Sequence, residues 1–216
     1  VTTGVENVLL GGNAGDSLTS GSYNIAIGRN ALQAEDAHGR NVAIGHAALE
    51  DQNAGADAYN VAIGYQAGKD VSTGGFNTIV GGLAGDALTT GNRNVAIGYE
   101  ALSAEDTGAR NVAVGEGSLR SLNYDGNGYN VGVGYDAGTS LTTGIQNTLI
   151  GSSAGDALTE GKNNIAIGYS ALTSETHGER NVAIGVFALG SQVNNSDVDT
   201  YNVAVGYNAG YAVTTG

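Results

Sequence analysis

The chain has 216 residues, with 37 Gly, two Phe and no Trp, Met, Pro or Cys, and a formal net charge of −13. A disulfide framework and any Cys-ligated zinc or iron–sulfur site are excluded by composition, and a conventional interior built on aromatics is disfavoured. Eight Lys and Arg against 21 Asp and Glu disfavour a phosphate-tracking surface, so nucleic acid is a poor partner. No run approaches the roughly 18–20 apolar residues of a spanning helix, and no membrane insertion is expected of this segment.

From the N-terminus onward one element returns: an Asn followed by a short aliphatic strand and, four positions after the Asn, a Gly. The Asn stands at 7, 24, 41, 60, 77, 94, 111, 130, 147, 164, 181 and 202, with spacings of 17, 17, 19, 17, 17, 17, 19, 17, 17, 17 and 21 residues. A period of this length marks a solenoid rather than a globular enzyme. The expected fold is therefore all-β, a parallel β-solenoid of twelve coils of 17–21 residues. It forms a single repeat domain over 1–216, cut from a longer array, because VTTG opens the chain at 1–4 and closes it at 213–216.

Insertions fall at every fourth interval, so four units make a superperiod: 7–76, 77–146 and 147–216. Their first units, NVLLGGNAGDSLTSG, NTIVGGLAGDALTTG and NTLIGSSAGDALTEG, are visibly copies. The excess of the third, SQVNNSDVDTY at 191–201, reads as a surface loop. The Gly four positions after each Asn, Gly98 for example, reads as a bend, since Gly alone takes positive φ freely. Seven positions after the Asn stands Ala in eleven units and Ser118 in the other, a site with no room for more. The first and fourth units place Gly at position eight and an aliphatic at eleven. The second and third place Leu at eight and usually Glu or Gln at eleven.

Within each strand the β-branched residues one and three positions after the Asn share a face, and they are expected to fill the coil. The intervening position carries no polar side chain in any unit. A strand apolar on both faces is buried on both, so the column Leu9, Ala26, Ala43, Ala62, Ile79, Ala96, Ala113, Leu149, Ala166, Ala183 and Ala204 is expected to form a seam between sister subunits of a homo-oligomer. The alternative is a second layer from the same chain, with two units in each coil. The Asn of the second to fourth units (Asn24, Asn41, Asn60, Asn94, Asn111, Asn130, Asn164, Asn181 and Asn202) are assigned to a structural ladder. In it each amide bonds the amides above and below or satisfies backbone groups at the turn.

The Asn-aliphatic-small-aliphatic-Gly register, in the pattern gNxNVAIGxxAL, resembles the repeats of head domains of trimeric autotransporter adhesins and similar repeats of phage tail-fibre proteins, over all twelve units. The resemblance implies a left-handed parallel β-roll in which three identical chains assemble about an axis. Its implied role is a non-enzymatic, extracellular structural or adhesive rod at a cell surface or on a virion, attaching to a host-surface glycan or protein receptor. The alternative is a tail-fibre shaft with no ligand of its own. The units are longer than those of the adhesin heads, which leaves space for a helical turn such as ALSAED at 101–106.

No catalytic residue, metal site or cofactor is assigned. GGNAGDSL at 11–18 and GGLAGDAL at 81–88 resemble a calcium-binding nonapeptide. However, Asp16, Asp86 and Asp156 stand seventy residues apart, too far to share an ion. His38, His46 and His177 lack metal-ligand spacing and read as loop residues. Glu35/Asp36 and Glu105/Asp106 recur at one point of the repeat and read as a solvated loop rather than an acid–base couple. Tyr65, Tyr99, Tyr135, Tyr169 and Tyr207 directly follow the bend Gly and are the candidate ligand-binding residues. Tyr23, Tyr59, Phe76, Tyr129 and Tyr201 precede the Asn, where Arg40, Arg93, Arg110 and Arg180 stand in other units. Stacking of rings on guanidinium groups between coils explains that column equally well.

Overall fold

A computed structural model describes residues 1–215. Twelve three-residue strands, from Val8–Leu10 to Val203–Val205, form one parallel sheet in chain order. Each strand pairs with the next in strict repeat register, Val95–Ile97 against Val112–Val114 for example. One unit is therefore one coil, and the two-unit coil is excluded. The stretch 101–106 holds hydrogen-bonded turns and no helix. Val198–Asp199 of the long connection lies exposed and pairs with Gly178–Glu179 as a second, two-stranded ladder.

The sheet is only a small part of the bonding between coils. Beyond the strands the backbone keeps exchanging hydrogen bonds with its neighbours, as in Leu102 N to Ser118 O (3.1 Å), Ala104 N to Arg120 O (3.0 Å) and Arg110 N to Asn92 O (3.1 Å). Polar backbone left unpaired in so narrow a structure would be costly, and the regular repeat length is what keeps donors over acceptors.

The corners are made by left-handed residues. The residue before every Asn has φ between 52° and 63°, whatever its type. The bend Gly, from Gly11 to Gly206, has φ between 130° and 141°. A Cβ on Gly98 would lie 2.5 Å from the carbonyl carbon of Gly115 in the next coil, so conformation and space both demand Gly there.

The strand faces are opposite to those expected. Position two, the proposed seam, points into the coil: Ala26, Ala43, Ala62, Ile79, Ala96, Ala113, Leu149, Ala166 and Ala183 are fully buried within one chain, Ala204 nearly so, and Leu9 half-buried in the terminal coil. These residues cannot be the contact between subunits. Positions one and three, the β-branched columns, face outward and are half-buried or exposed in all twelve coils. The reason is the parity set by Asn. The amide is buried at position zero, so in an alternating strand position two shares its side and positions one and three do not.

Bulk in the interior comes instead from Leu in the loop. In second and third units Leu32, Leu49, Leu102, Leu119, Leu172 and Leu189 fill the space over a strand Ala, all at most 2 % exposed. In first units the strand supplies the bulk and the loop yields: a Cβ on Gly155 would come within 2.8 Å of Leu149 and 2.9 Å of Leu158. Fourth units are small at both places because neighbours above and below reach in, so a Cβ on Gly68 would meet Ile79 at 2.8 Å and Leu49 at 3.2 Å. The column of Ala seven positions after the Asn is likewise closed, with Ala101 and Ser118 fully buried.

Ala96→Glu is expected to abolish folding rather than change assembly, because the charge would enter the coil at a cost of at least about 4 kcal/mol. Circular dichroism of the purified variant checks this. Gly98→Val is expected to lower stability by roughly 3 kcal/mol or more through the forced left-handed backbone and the close carbonyl, read as the shift of its melting curve.

Candidate functional site

Three columns carry chemistry: the buried Asn, the residue eleven positions after it, and the exposed rings on either side of the strand.

The Asn column is a clamp that joins coil to coil. Asn94 Oδ1 accepts the backbone N–H of Asn111 (2.9 Å), and its Nδ2 donates to Gly108 O (2.8 Å). The two bonds bracket residues 108–111 of the next coil, including the left-handed Arg110. The same pair recurs at Asn7, Asn24, Asn60, Asn77, Asn130, Asn147 and Asn164. Amide-to-amide bonds are secondary, as at Asn147 to Asn130 (3.2 Å). First units share the ladder with the others. Where the next coil carries the insertion, the carbonyl moves away: the Nδ2 groups of Asn41 and Asn111 are buried without a partner, while their Oδ1 atoms still accept from Asn60 and Asn130. Asn181 keeps its Oδ1 bond to Asn202 at 3.3 Å and turns its Nδ2 to Asn164.

Position eleven is not a solvated loop. Glu35, Glu105 and Glu175 are fully buried, and each accepts the N–H three residues on: His38 (3.0 Å), Gly108 (2.7 Å) and Gly178 (2.8 Å). The carboxylate thus caps a tight turn from inside. The three copies differ in what else reaches them. Burial pushes Glu105 up to about 7, resisted by the Gly108 and Tyr124 amides. Burial likewise raises Glu35 above the usual carboxylate range. For Glu175 burial pushes upward too, but donors from Gly178, Gln192 and Asn194 outweigh it and the carboxyl titrates below its ordinary value. Glu175 departs from the other two because it has the most donors to the charged form, while burial is the largest cause at Glu35 and Glu105. No pair of these acids is brought together around a common reaction centre, since each sits four coils from the next.

The ring columns lie outside. Before the Asn, Arg40 sits over Tyr23 (5.3 Å) and Tyr59 (5.6 Å), Tyr59 stacks on Phe76 (5.4 Å), and Arg93 covers Phe76 (5.6 Å). Arg110 covers Tyr129 and Arg180 covers Tyr201, so the structure holds the inter-coil stacking read from the sequence. After the bend, Tyr65, Tyr99, Tyr135, Tyr169 and Tyr207 are each at least half exposed and stand on every second coil. They form a comb, not a pocket. Tyr65 stacks on His46 (5.4 Å) and Tyr169 meets the edge of Phe187 (5.4 Å).

A shallow cavity of about 310 Å³ lies beside the Arg–ring column, lined by small residues with Phe76, Asp57 and Arg93. Asp57 is already paired with Arg40, and none of the five comb tyrosines lines the cavity. Asp86, on the loop that resembles a calcium repeat, has one buried oxygen without a partner, while Asp156 accepts from Thr173 (2.6 Å). Among the described residues no helix is long and apolar enough to cross a membrane.

Compared with known proteins, the chain matches no family model, no curated protein and no solved structure.

The raised Glu105 has a definite consequence. Its folded-state value lies above 4.5, so its contribution to stability is present in full below about pH 4.5 and is lost as pH rises through about 7. Wild type is therefore expected to lose up to about 3 kcal/mol from this group between pH 5 and 8. Glu105→Gln should remove most of that slope, checked by urea unfolding of both proteins across the range.

Proposed function

We propose that this chain is a non-enzymatic fibrous rod that associates with copies of itself, three about a common axis, and serves as a structural or adhesive element outside the cell or on a virion. The observation that carries this reading is the outward face of the sheet. Over twelve coils its two columns hold 24 side chains, all aliphatic except Thr78 and Thr148, in a protein of net charge −13. Ile63, Ile97, Ile150 and Ile165 expose between 36 % and 38 % of their surface in the interior of the stack, where no end effect applies.

Twelve strands about 4.8 Å apart make a face roughly 55 Å long. With the flanking ring columns it is about 15–20 Å wide, or on the order of 1,000 Å², against about 800 Å² per partner in a standard stable interface. Contiguous apolar faces of that extent on soluble proteins mark contact surfaces. A row of β-branched side chains at strand spacing interdigitates best with another row of the same spacing, which favours a second copy as the partner. The regular repetition also argues against catalysis: the buried acids recur as turn caps, four coils apart, and the comb of tyrosines offers repeated contacts rather than one enclosed site.

Light scattering on the wild-type chain is expected to give a mass that is three times 21.5 kDa. The double substitution Ile63→Glu/Ile97→Glu should give the single-chain mass with the circular dichroism spectrum unchanged, because both side chains already reach solvent. A wild-type monomer at tens of micromolar, or an assembly indifferent to the two charges, would refute the proposal.

A further inference from the structure

At one turn the first superperiod departs from the other two in a way that changes the chemistry. Where the equivalent turns carry Gly108 and Gly178, the turn capped by Glu35 carries His38. In the other two copies the Glu reaches a donor in the following coil: Glu105 Oε2 accepts from Tyr124 N (3.3 Å), and Glu175 Oε2 accepts from Gln192 (2.8 Å) and Asn194 (2.7 Å). At Glu35 less of that help arrives: the Ala54 amide of the following coil favours the charged carboxylate without closing a hydrogen bond, and Gln52 turns its amide away to Ser72 O (2.9 Å) and accepts from Asn60 instead (2.6 Å). Glu35 is fully buried, and its Oε2 is left without a hydrogen-bond partner.

A second unpaired atom faces the first residue's carboxylate. His38 Nδ1 is buried without a hydrogen-bond partner and lies 3.6 Å from Glu35 Oε1. The carboxylate of Asp36 completes the group: one ligand atom from each of Glu35, Asp36 and His38 lies within 4.8 Å of the other two, the only such cluster among the described residues. Two carboxylates and one imidazole nitrogen, with one member open to solvent, are the donor set of zinc and similar late first-row ions. Calcium and magnesium prefer oxygen alone. Ligand atoms around a zinc ion stand about 2.0–2.2 Å from it, so the cluster has only to tighten modestly around one ion. The −13 charge of the chain favours cation binding at any such place.

We propose that Glu35, Asp36 and His38 form a binding site for one zinc-like divalent ion per chain, on the turn of the second coil. The ion takes the two unused buried lone pairs and staples that turn, a task that the following coil's donors perform at Glu105 and Glu175. Loop residues with no metal spacing in sequence become a site because the Glu is held inside the coil and the turn folds His38 back onto it. The inference is independent of the assembly and of any receptor.

The test is titration of the 216-residue chain with zinc chloride, followed by calorimetry and by the imidazole resonances of His38, His46 and His177. The expected result is one ion per chain, movement of the His38 resonance alone at one equivalent, and a melting temperature higher by about 3 °C at tenfold excess over Kd. His38→Gly installs the residue of the sister repeats and keeps the carbonyl that Asn24 binds. It should melt like the metal-free wild type and lose the binding. Asp36→Asn, whose side chain is exposed, should weaken binding at least tenfold and serves where the His38 variant is itself destabilised. Absence of binding, binding unchanged in both variants, or displacement of zinc by millimolar calcium would overturn the proposal.

Discussion

The structure depends on one side chain repeated twelve times. At eight of the twelve places the Asn holds two backbone groups of the next coil, an N–H and a C=O three residues apart, and between them lies a residue in the left-handed region; at Asn41, Asn111 and Asn181 it holds the N–H alone. A non-Gly residue there is strained, and the Arg, Tyr, Phe and Gln at these corners gain nothing from their own chemistry by adopting it. What fixes the corner is the carboxamide behind it, which offers a donor and an acceptor side by side on one planar group at any pH. Asn has the short reach that a narrow coil allows. The clamp also sets the registry of the stack, because it joins the start of one strand to the start of the next.

From that registry the two faces of the strand follow. With the amide inside, the next inward place falls two residues later, where the coil accepts Ala when Leu stands in the loop, Leu or Ile when a first unit's loop carries Gly, and Ala or Gly in fourth units, whose space the neighbouring coils fill. Volume is conserved between neighbouring coils rather than within each, which accounts for a four-coil superperiod. Close packing of this kind tolerates little change in size. The outward β-branched columns are then a consequence of parity, and they make the long apolar face on which the proposed assembly rests.

Much of this was legible in the sequence. The repeat, the parallel stack and the bend Gly follow from spacing and from the demands of Gly, and the structure has them; the connection at 191–201 is exposed over 195–199, while Gln192 and Asn194 turn inward onto Glu175. The strand faces are the reverse of what side-chain bulk implies. A buried amide was the better sign, since an Asn ladder satisfies backbone only from inside, and Asn94 and Ala96 are two apart. Glu35 and Glu105 look solvated in the sequence because carboxylates usually are. Their burial depends on amides three residues on, which no composition reveals. The pairing of Glu35 with His38 was likewise invisible, since it needs the turn that brings residues 35 and 38 together and a Gln52 that points elsewhere.

A rod of this design has few places for chemistry and many for contact. Its surface repeats the same aliphatic, aromatic and guanidinium columns, so whatever meets it meets them many times, and affinity accumulates by repetition. Departures from the repeat, such as His38, are where single sites arise. The central claim, that the Asn clamp holds coil to coil, is tested most directly by urea unfolding of Asn94→Ala beside Asn111→Ala. The first loses both bonds and leaves Gly108 O and Asn111 N unpaired, while the second loses the bond to Asn130 N and also removes an amide group that already lacked a partner. Asn94→Ala is expected to cost about 3 kcal/mol and Asn111→Ala about 1 kcal/mol. Equal losses, or no loss at Asn94, would contradict the account.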